Sequence, residues 1–154
     1  MKRYQREIVV DRDVAEVFDF FADMSRLGEW APEDFVSVRR LDRQPIAIGT
    51  RFSYVTRGAR VESTFGWTQL DRPNTLVFTG PPVDVGPGWV EGLGGYSFER
   101  TTGGTTVRAW FEPTLGGLLA LMSPFARLRN IRLLGRQLAR AKALIEGGAL
   151  AATA

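Results

Sequence analysis

The chain has 154 residues, 44% of them hydrophobic and 24% charged, and it contains no His and no Cys. That is the length and composition of one globular domain. The two absences exclude disulfides, thiol nucleophiles, Ser-His-Asp and Cys-His catalysis, Cys/His zinc sites, iron–sulfur clusters and haem held by His or Cys. The net charge of +3 is unevenly spread: residues 1–114 carry 14 basic and 16 acidic side chains, and residues 115–154 carry 6 and 1.

Tyr4 to Val10 reads as a first strand, ending on a β-branched run. In DRDVAEVFDFF, Asp13 is a helix N-cap and Glu16 completes a capping box, while Val14, Val17, Phe18 and Phe21 share one face. A second short helix is expected over Met24 to Trp30, ended by Pro32. The period then changes. Phe35–Leu41, Arg51–Thr56, Ala59–Leu70, Thr75–Thr79, Trp89–Arg100 and Thr105–Glu112 read as strands separated by Gly, Pro and Asn turn signals. Connections this short favour antiparallel neighbours. The chain closes on a long helix begun by Pro124 and stopped by Gly147, with an apolar stripe of Leu128, Ile131, Leu134, Leu138, Ala141 and Ile145. Gly147 to Ala154 reads as a flexible tail, which leaves a single domain over residues 1–146.

The expected fold class is α+β. A seven-stranded antiparallel sheet buries one face against helices, the last of which is the only element large enough to cover it. If the sheet curls, a gap opens between its concave face and that helix, a natural small-molecule site. No secretory signal is visible in MKRYQREIVV, and the apolar run Leu115–Met122 is interrupted by glycines and too short to span a bilayer. The expectation is a cytoplasmic protein without stable membrane insertion.

Four passages carry a resemblance: EVFDFFADMSRLGEWAP (Glu16–Pro32), IGTRFSY (Ile48–Tyr54), TQLDRPNTLVF (Thr68–Phe78) and YSFERTTGGTTVRAWF (Tyr96–Phe111). With the long terminal helix, they resemble the SRPBCC, or START/Bet v 1-like, superfamily and its bacterial polyketide cyclase/dehydrase-like branch. The resemblance implies a helix-grip fold, in which a curved sheet wraps a long C-terminal helix and two short helices follow strand 1. Members often carry a proline where Asp13 opens the first helix. Characterised aromatase/cyclases of the superfamily use pocket His, Arg, Tyr and acidic residues, and an imidazole mechanism does not transfer to a chain without His.

The aromatic residues Phe52, Tyr54, Phe65, Trp67, Phe78, Trp89, Tyr96 and Phe98 lie in expected strands, and Trp30 lies where the second helix meets the next strand. They read either as the lining of a cavity for an apolar or aromatic ligand or as core packing; the resemblance favours the cavity. Glu62, Tyr54 and Tyr96 are the acid–base candidates. Strict alternation puts Glu62 on the face opposite Phe65 and Trp67, whereas a bulge at Gly66 would bring it to their face. The glycine-rich GPGWVEGLGG (Gly86–Gly95) fits neither phosphate-binding fingerprint and reads as a flexible rim loop running into a strand. Capping explains Asp13 and Glu16 better than a metal does, so neither a metal nor another cofactor is expected. Glu29, Glu33 and Asp34 cluster without an evident partner. The stripe Arg129, Arg132, Arg136 and Arg140 is a solvated face or a docking surface. It has no interleaved aromatics and no nucleic-acid motif.

Three readings follow. The first is binding of a small hydrophobic or aromatic, lipid- or polyketide-like molecule. The second is a polyketide cyclase/dehydratase-type enzyme using Tyr and Glu. The third is an interaction module using the basic helix. The expected partner is a small hydrophobic molecule and not a nucleic acid; a homodimer is left open.

Overall fold

The computed structural model describes residues 3–58 and 60–148. A first strand, β1 (Tyr4–Val10), leads into helix α1 (Val14–Ala22) and, through one 3-10 turn, into the short helix α2 (Leu27–Trp30). Strands β2 (Phe35–Arg40), β3 (Arg51–Thr56), β4 (Glu62–Asp71), β5 (Thr75–Thr79), β6 (Val83–Asp84), β7 (Gly88–Thr101) and β8 (Gly104–Gly117) follow. A second 3-10 turn (Leu118–Met122) precedes the last helix, α3 (Ser123–Glu146). Of the expected tail, Gly147 and Gly148 close α3, and residues 149–154 lie outside the described residues.

Every strand pair is antiparallel, in the order β1-β8-β7-β5-β4-β3-β2, with the two-residue β6 beside β7. Seven long strands thus form one curled half-barrel with α3 along its concave side, the helix-grip arrangement. β1 and β2 are consecutive in sequence yet lie at opposite ends of the strand order. The α1–α2 segment carries the chain between them and packs beneath the sheet on the way. Register shifts in β2 at Phe35/Ser37 and in β4 at Trp67/Gln69 add bends to the natural twist. β7 and β8 run longer than the sequence suggests. Pro113 is tolerated because β1 stops at the Tyr4–Phe111 pair, so its missing N–H leaves no ladder bond unmade on that side.

The helices form where their sequences indicate. The Asp13 carboxylate accepts from the Ala15 amide at 3.1 Å and caps α1. The apolar face of α1 is buried under β7 and β8: Phe18 meets Phe98 edge-on at 5.3 Å and Phe21 lies 4.9 Å from Tyr96. The Trp67 indole donates to the Ala22 carbonyl at 3.0 Å, pinning the end of α1 to β4. The Asp19 carboxylate takes a two-pronged bond from Arg72 at 2.9 Å on each side, tying α1 to the β4–β5 turn.

Two expectations are corrected. α3 does not cover the sheet alone, because α1 and α2 fill a large part of the concave side. Nor is its apolar stripe buried along its whole length. Leu138, Ala141 and Ile145 are fully enclosed, but Leu128 is 54% exposed and Leu133 takes the inward position instead. The buried row is Leu133, Gln137, Ala141 and Ile145, spaced by four, with Leu138 beside it.

The two strand tryptophans should differ in stability. Trp67→Ala removes a buried ring and its hydrogen bond and is expected to cost roughly 3–5 kcal/mol in urea unfolding. Trp89→Ala, at a site 39% exposed, is expected to cost less than half of that. Equal losses would contradict this assignment of the core.

Candidate functional site

Between the concave sheet and the first half of α3 lies a cavity of about 530 Å³. Its apolar walls come from α2 and its approach (Met24, Leu27, Trp30), from β2 to β5 (Phe35, Tyr54, Phe65, Phe78), from Val83 and Val90, and from Phe111, Leu133 and Leu134. A concave space of this size with mainly apolar and aromatic walls has the form of a small-molecule site.

β7 helps to create the room. Gly86–Gly95 runs into strand almost at once, as β7 starts at Gly88, and Gly92, Gly94 and Gly95 face neighbouring rings. A Cβ on Gly94 would stand 2.6 Å from Phe78 and 2.8 Å from Phe111. Only glycine lets these two rings stack across the strand, with centroids 6.3 Å apart.

One side of the cavity is polar. Asp34, in the turn between α2 and β2, accepts from the Gln137 side-chain amide at 2.8 Å. Burial raises its carboxyl above the usual range, and the Gln137 bond and the Arg129 charge only partly oppose that. The neighbouring Glu33 behaves in the opposite way. It takes a bidentate bond from Arg140, one turn along α3 from Gln137, and that bond holds its carboxyl low. Two adjacent acids thus grip the same helix, one through a neutral amide and one through a cation. Tyr4 and Tyr96 complete this side. Burial raises both phenols; the Asp34 charge adds to the rise at Tyr4, and Tyr4 adds to it at Tyr96. Both therefore stay protonated and can donate. Tyr54, nearer β2, is also raised by burial, opposed by a bond with Ser63.

The sequence-derived site residues divide three ways. Trp30, Tyr54, Phe65, Phe78 and Tyr96 line the cavity. Phe52, Trp67 and Phe98 are enclosed in the core instead, against neighbouring rings and, for Phe98, against α1. Trp89 lies on the outer face over Gly116, because it stands an odd number of residues from Tyr96 and Phe98 along one strand. Glu62 is also displaced from the candidate role. Its ladder with β3 runs unbroken from Val55–Glu62 to Arg51–Gly66, so no bulge shifts its parity; it is exposed and accepts from Ser53 at 3.2 Å. The register shift in β4 comes only after Trp67.

Tyr4, Asp34, Arg129 and Gln137 are among the lining residues that the sequence did not assign to a site. Gln137 had a signal, because it stands on the row of α3 otherwise made of Leu133, Ala141 and Ile145. A lone polar residue on a buried helix face needs a partner. Asp34 had none, as that partner lies 103 residues away.

Among the described residues no cluster of His, Cys, Asp or Glu could hold a metal ion. No described helix is long and apolar enough to cross a membrane. The site can hold a flat apolar body between aromatic walls, donate hydrogen bonds from phenols and offer one carboxyl of raised proton affinity.

That raised affinity gives a pH signature. A carboxyl whose folded pKa lies above its unfolded value of 3.8 contributes stability in full below 3.8 and loses it as pH rises through the folded value. Asp34→Asn keeps an acceptor for Gln137 and cannot ionise. The variant should gain on the wild type in urea midpoint as pH rises from about 4 towards neutrality. A variant that loses ground over that range would contradict the assignment.

Comparison with known proteins agrees with this architecture. No curated protein sequence matches the chain. A protein of unknown function from Staphylococcus aureus, SA2116, superposes with a TM-score of 0.71 at 10% identity, covering 96% of this chain and 94% of that one. TTHA0849 from Thermus thermophilus gives 0.64 at 20% identity, with 92% and 97% covered. The di-domain ARO/CYC StfQ of the steffimycin biosynthetic pathway gives 0.69 at 16% identity, covering 96% of this chain, which spans about half of StfQ (52%). At such identities these likenesses concern the fold. Residues 1–146 match a sequence family described as polyketide cyclase / dehydrase and lipid transport, and the chain belongs to that family.

Proposed function

We propose that the protein binds one small, flat, largely apolar molecule, lipid- or polyketide-like, that carries a hydroxyl or keto group on one edge. The observation that carries this reading is a cavity whose aromatic walls meet a polar cluster of Tyr4, Asp34, Tyr96 and Gln137. Apolar walls supply affinity in proportion to buried area, and a few convergent polar groups fix orientation. The family supports a hydrophobic ligand.

A second reading, a cyclase/dehydratase-type enzyme, is favoured by one feature. Asp34 is a carboxyl of raised proton affinity beside phenols in a cavity, the kind of group that serves as a general acid or base. In this reading Asp34 takes the role first given to Glu62. Aromatic walls would hold a reactive chain folded, and Asp34 with Tyr96 or Tyr4 would move the protons of an aldol closure or dehydration.

The test is a calorimetric titration with 2-naphthol and with naphthalene, which differ by one hydroxyl. Saturable one-to-one binding of both is expected, with 2-naphthol the tighter. Asp34→Asn, which keeps the acceptor for Gln137 but not the carboxylate, should erase roughly a tenfold share of that preference, the size of one hydrogen bond to a charged group, and leave naphthalene unchanged. No saturable binding of either probe would contradict the reading. Native mass spectrometry of freshly purified protein should show an adduct of small-molecule mass that is lost on denaturation.

A further inference from the structure

The segment that leads into α3 presents apolar side chains to solvent. Leu121 is 79% exposed and Phe125 81%, and Leu118, Met122 and Leu128 are each more than half exposed. A typical monomer leaves such residues scattered; here five occur within eleven positions. On α3 itself, Phe125 and Leu128 share the outward face with Arg129, Arg132 and Arg136 by helical spacing. No acidic residue occurs between Glu112 and Glu146. Among the described residues, the ion pairs made by α3, Arg140–Glu33 and Lys142–Glu146, both lie in its C-terminal half. The outward face therefore runs from bulky and apolar to purely basic.

We propose that this face is a docking surface for an anionic lipid bilayer. Phe125, Leu121 and their neighbours would enter the headgroup boundary, and Arg129, Arg132 and Arg136 would meet the lipid phosphates. A convex helix with apolar and arginine side chains on its outward face matches a bilayer interface. Charge argues against a second copy as the occupant. A two-fold contact would gather the arginines of both copies into one interface with no acidic residue in the segment to compensate. Position gives the surface a use. Arg129 belongs both to this face and to the cavity lining, and Leu118, at the start of the patch, donates its backbone N–H to Pro87, in the β6–β7 connection. A docked protein would hold the cavity opening beside the bilayer, where apolar molecules collect. The surface would serve this purpose whatever the cavity binds.

Cosedimentation with unilamellar vesicles tests it, using pure phosphatidylcholine and the same lipid with about a third phosphatidylglycerol. Each arginine near an anionic surface contributes roughly fivefold in affinity, so the anionic vesicles should bind about a hundredfold more tightly. The difference should shrink as salt is raised. Leu121→Ser with Phe125→Ser should abolish binding, and Arg132→Gln with Arg136→Gln should remove the preference for anionic lipid. All four positions are exposed, so each variant should keep the wild-type circular dichroism spectrum and urea midpoint. Asp34→Asn, which keeps the acceptor for Gln137 and so the position of α3, should bind vesicles as the wild type does, which separates failure of the cavity reading from failure of this one. Equal affinity for both vesicle types, or anionic binding that survives the Leu121/Phe125 change, would overturn the proposal. A dimer in sedimentation velocity that the same change dissolves would overturn it too, and would assign the patch to self-association.

Discussion

The cavity exists because α3 belongs to the core at one end only. From Leu138 to Ile145 its inward side chains are fully enclosed. Its last residue is fastened to the corner after β1, where the Asp11 amide donates to Glu146 and Arg12 donates to the Glu146 carbonyl. Midway along the helix, Glu33 and Asp34 grip Arg140 and Gln137. Beyond that grip, towards the N-terminus, α3 faces the cavity, and no residue of α1 lines it. A helix held at one end and clasped in the middle must bridge whatever space remains, and the aromatic walls line that space.

The clasp also sets the chemistry. Asp34 and Glu33 are sequence neighbours, yet their carboxyls move in opposite directions. A cation that bonds directly to a carboxylate favours its charged form, as Arg140 does for Glu33; a neutral amide in a buried place cannot offset desolvation, as at Asp34. Environments that push paired acids apart are how proteins keep one carboxyl able to exchange protons. The same contact that positions α3 therefore leaves a carboxyl of raised proton affinity in the cavity, and structure and chemistry share the Asp34–Gln137 bond.

Much of the fold was legible from residue patterns. Asp13 as a cap, the α1 face of Val14, Val17, Phe18 and Phe21, and the turn signals between strands all act locally, so a linear reading captures them. Pairing order was less legible, because β1 and β2 separate to opposite ends of the strand order by a crossover that no single residue announces. The site was legible in part. Alternation brings Tyr54, Phe65, Phe78 and Tyr96 to the concave face, but alternation does not tell core from cavity. Phe52, Trp67 and Phe98 face the same way and are buried because α1 and nearby rings happen to fill that side. Parity alone does exclude Trp89 and Glu62. The exposed Leu128 misleads for a related reason: helical spacing identifies a stripe but not where along the helix its cover ends. Asp34 was the hardest to read, since its meaning lies in a partner on the far side of the chain.

The most direct test of the central claim is a crystal structure of the protein with 2-naphthol. The expected result is an open cavity with the ring between Tyr54, Phe65 and Phe78 and the hydroxyl within hydrogen-bond distance of Asp34 or a phenol of Tyr4 or Tyr96. A structure in which α3 has settled onto the sheet, with Leu133 and Leu134 filling the space and no ligand density inside, would contradict it.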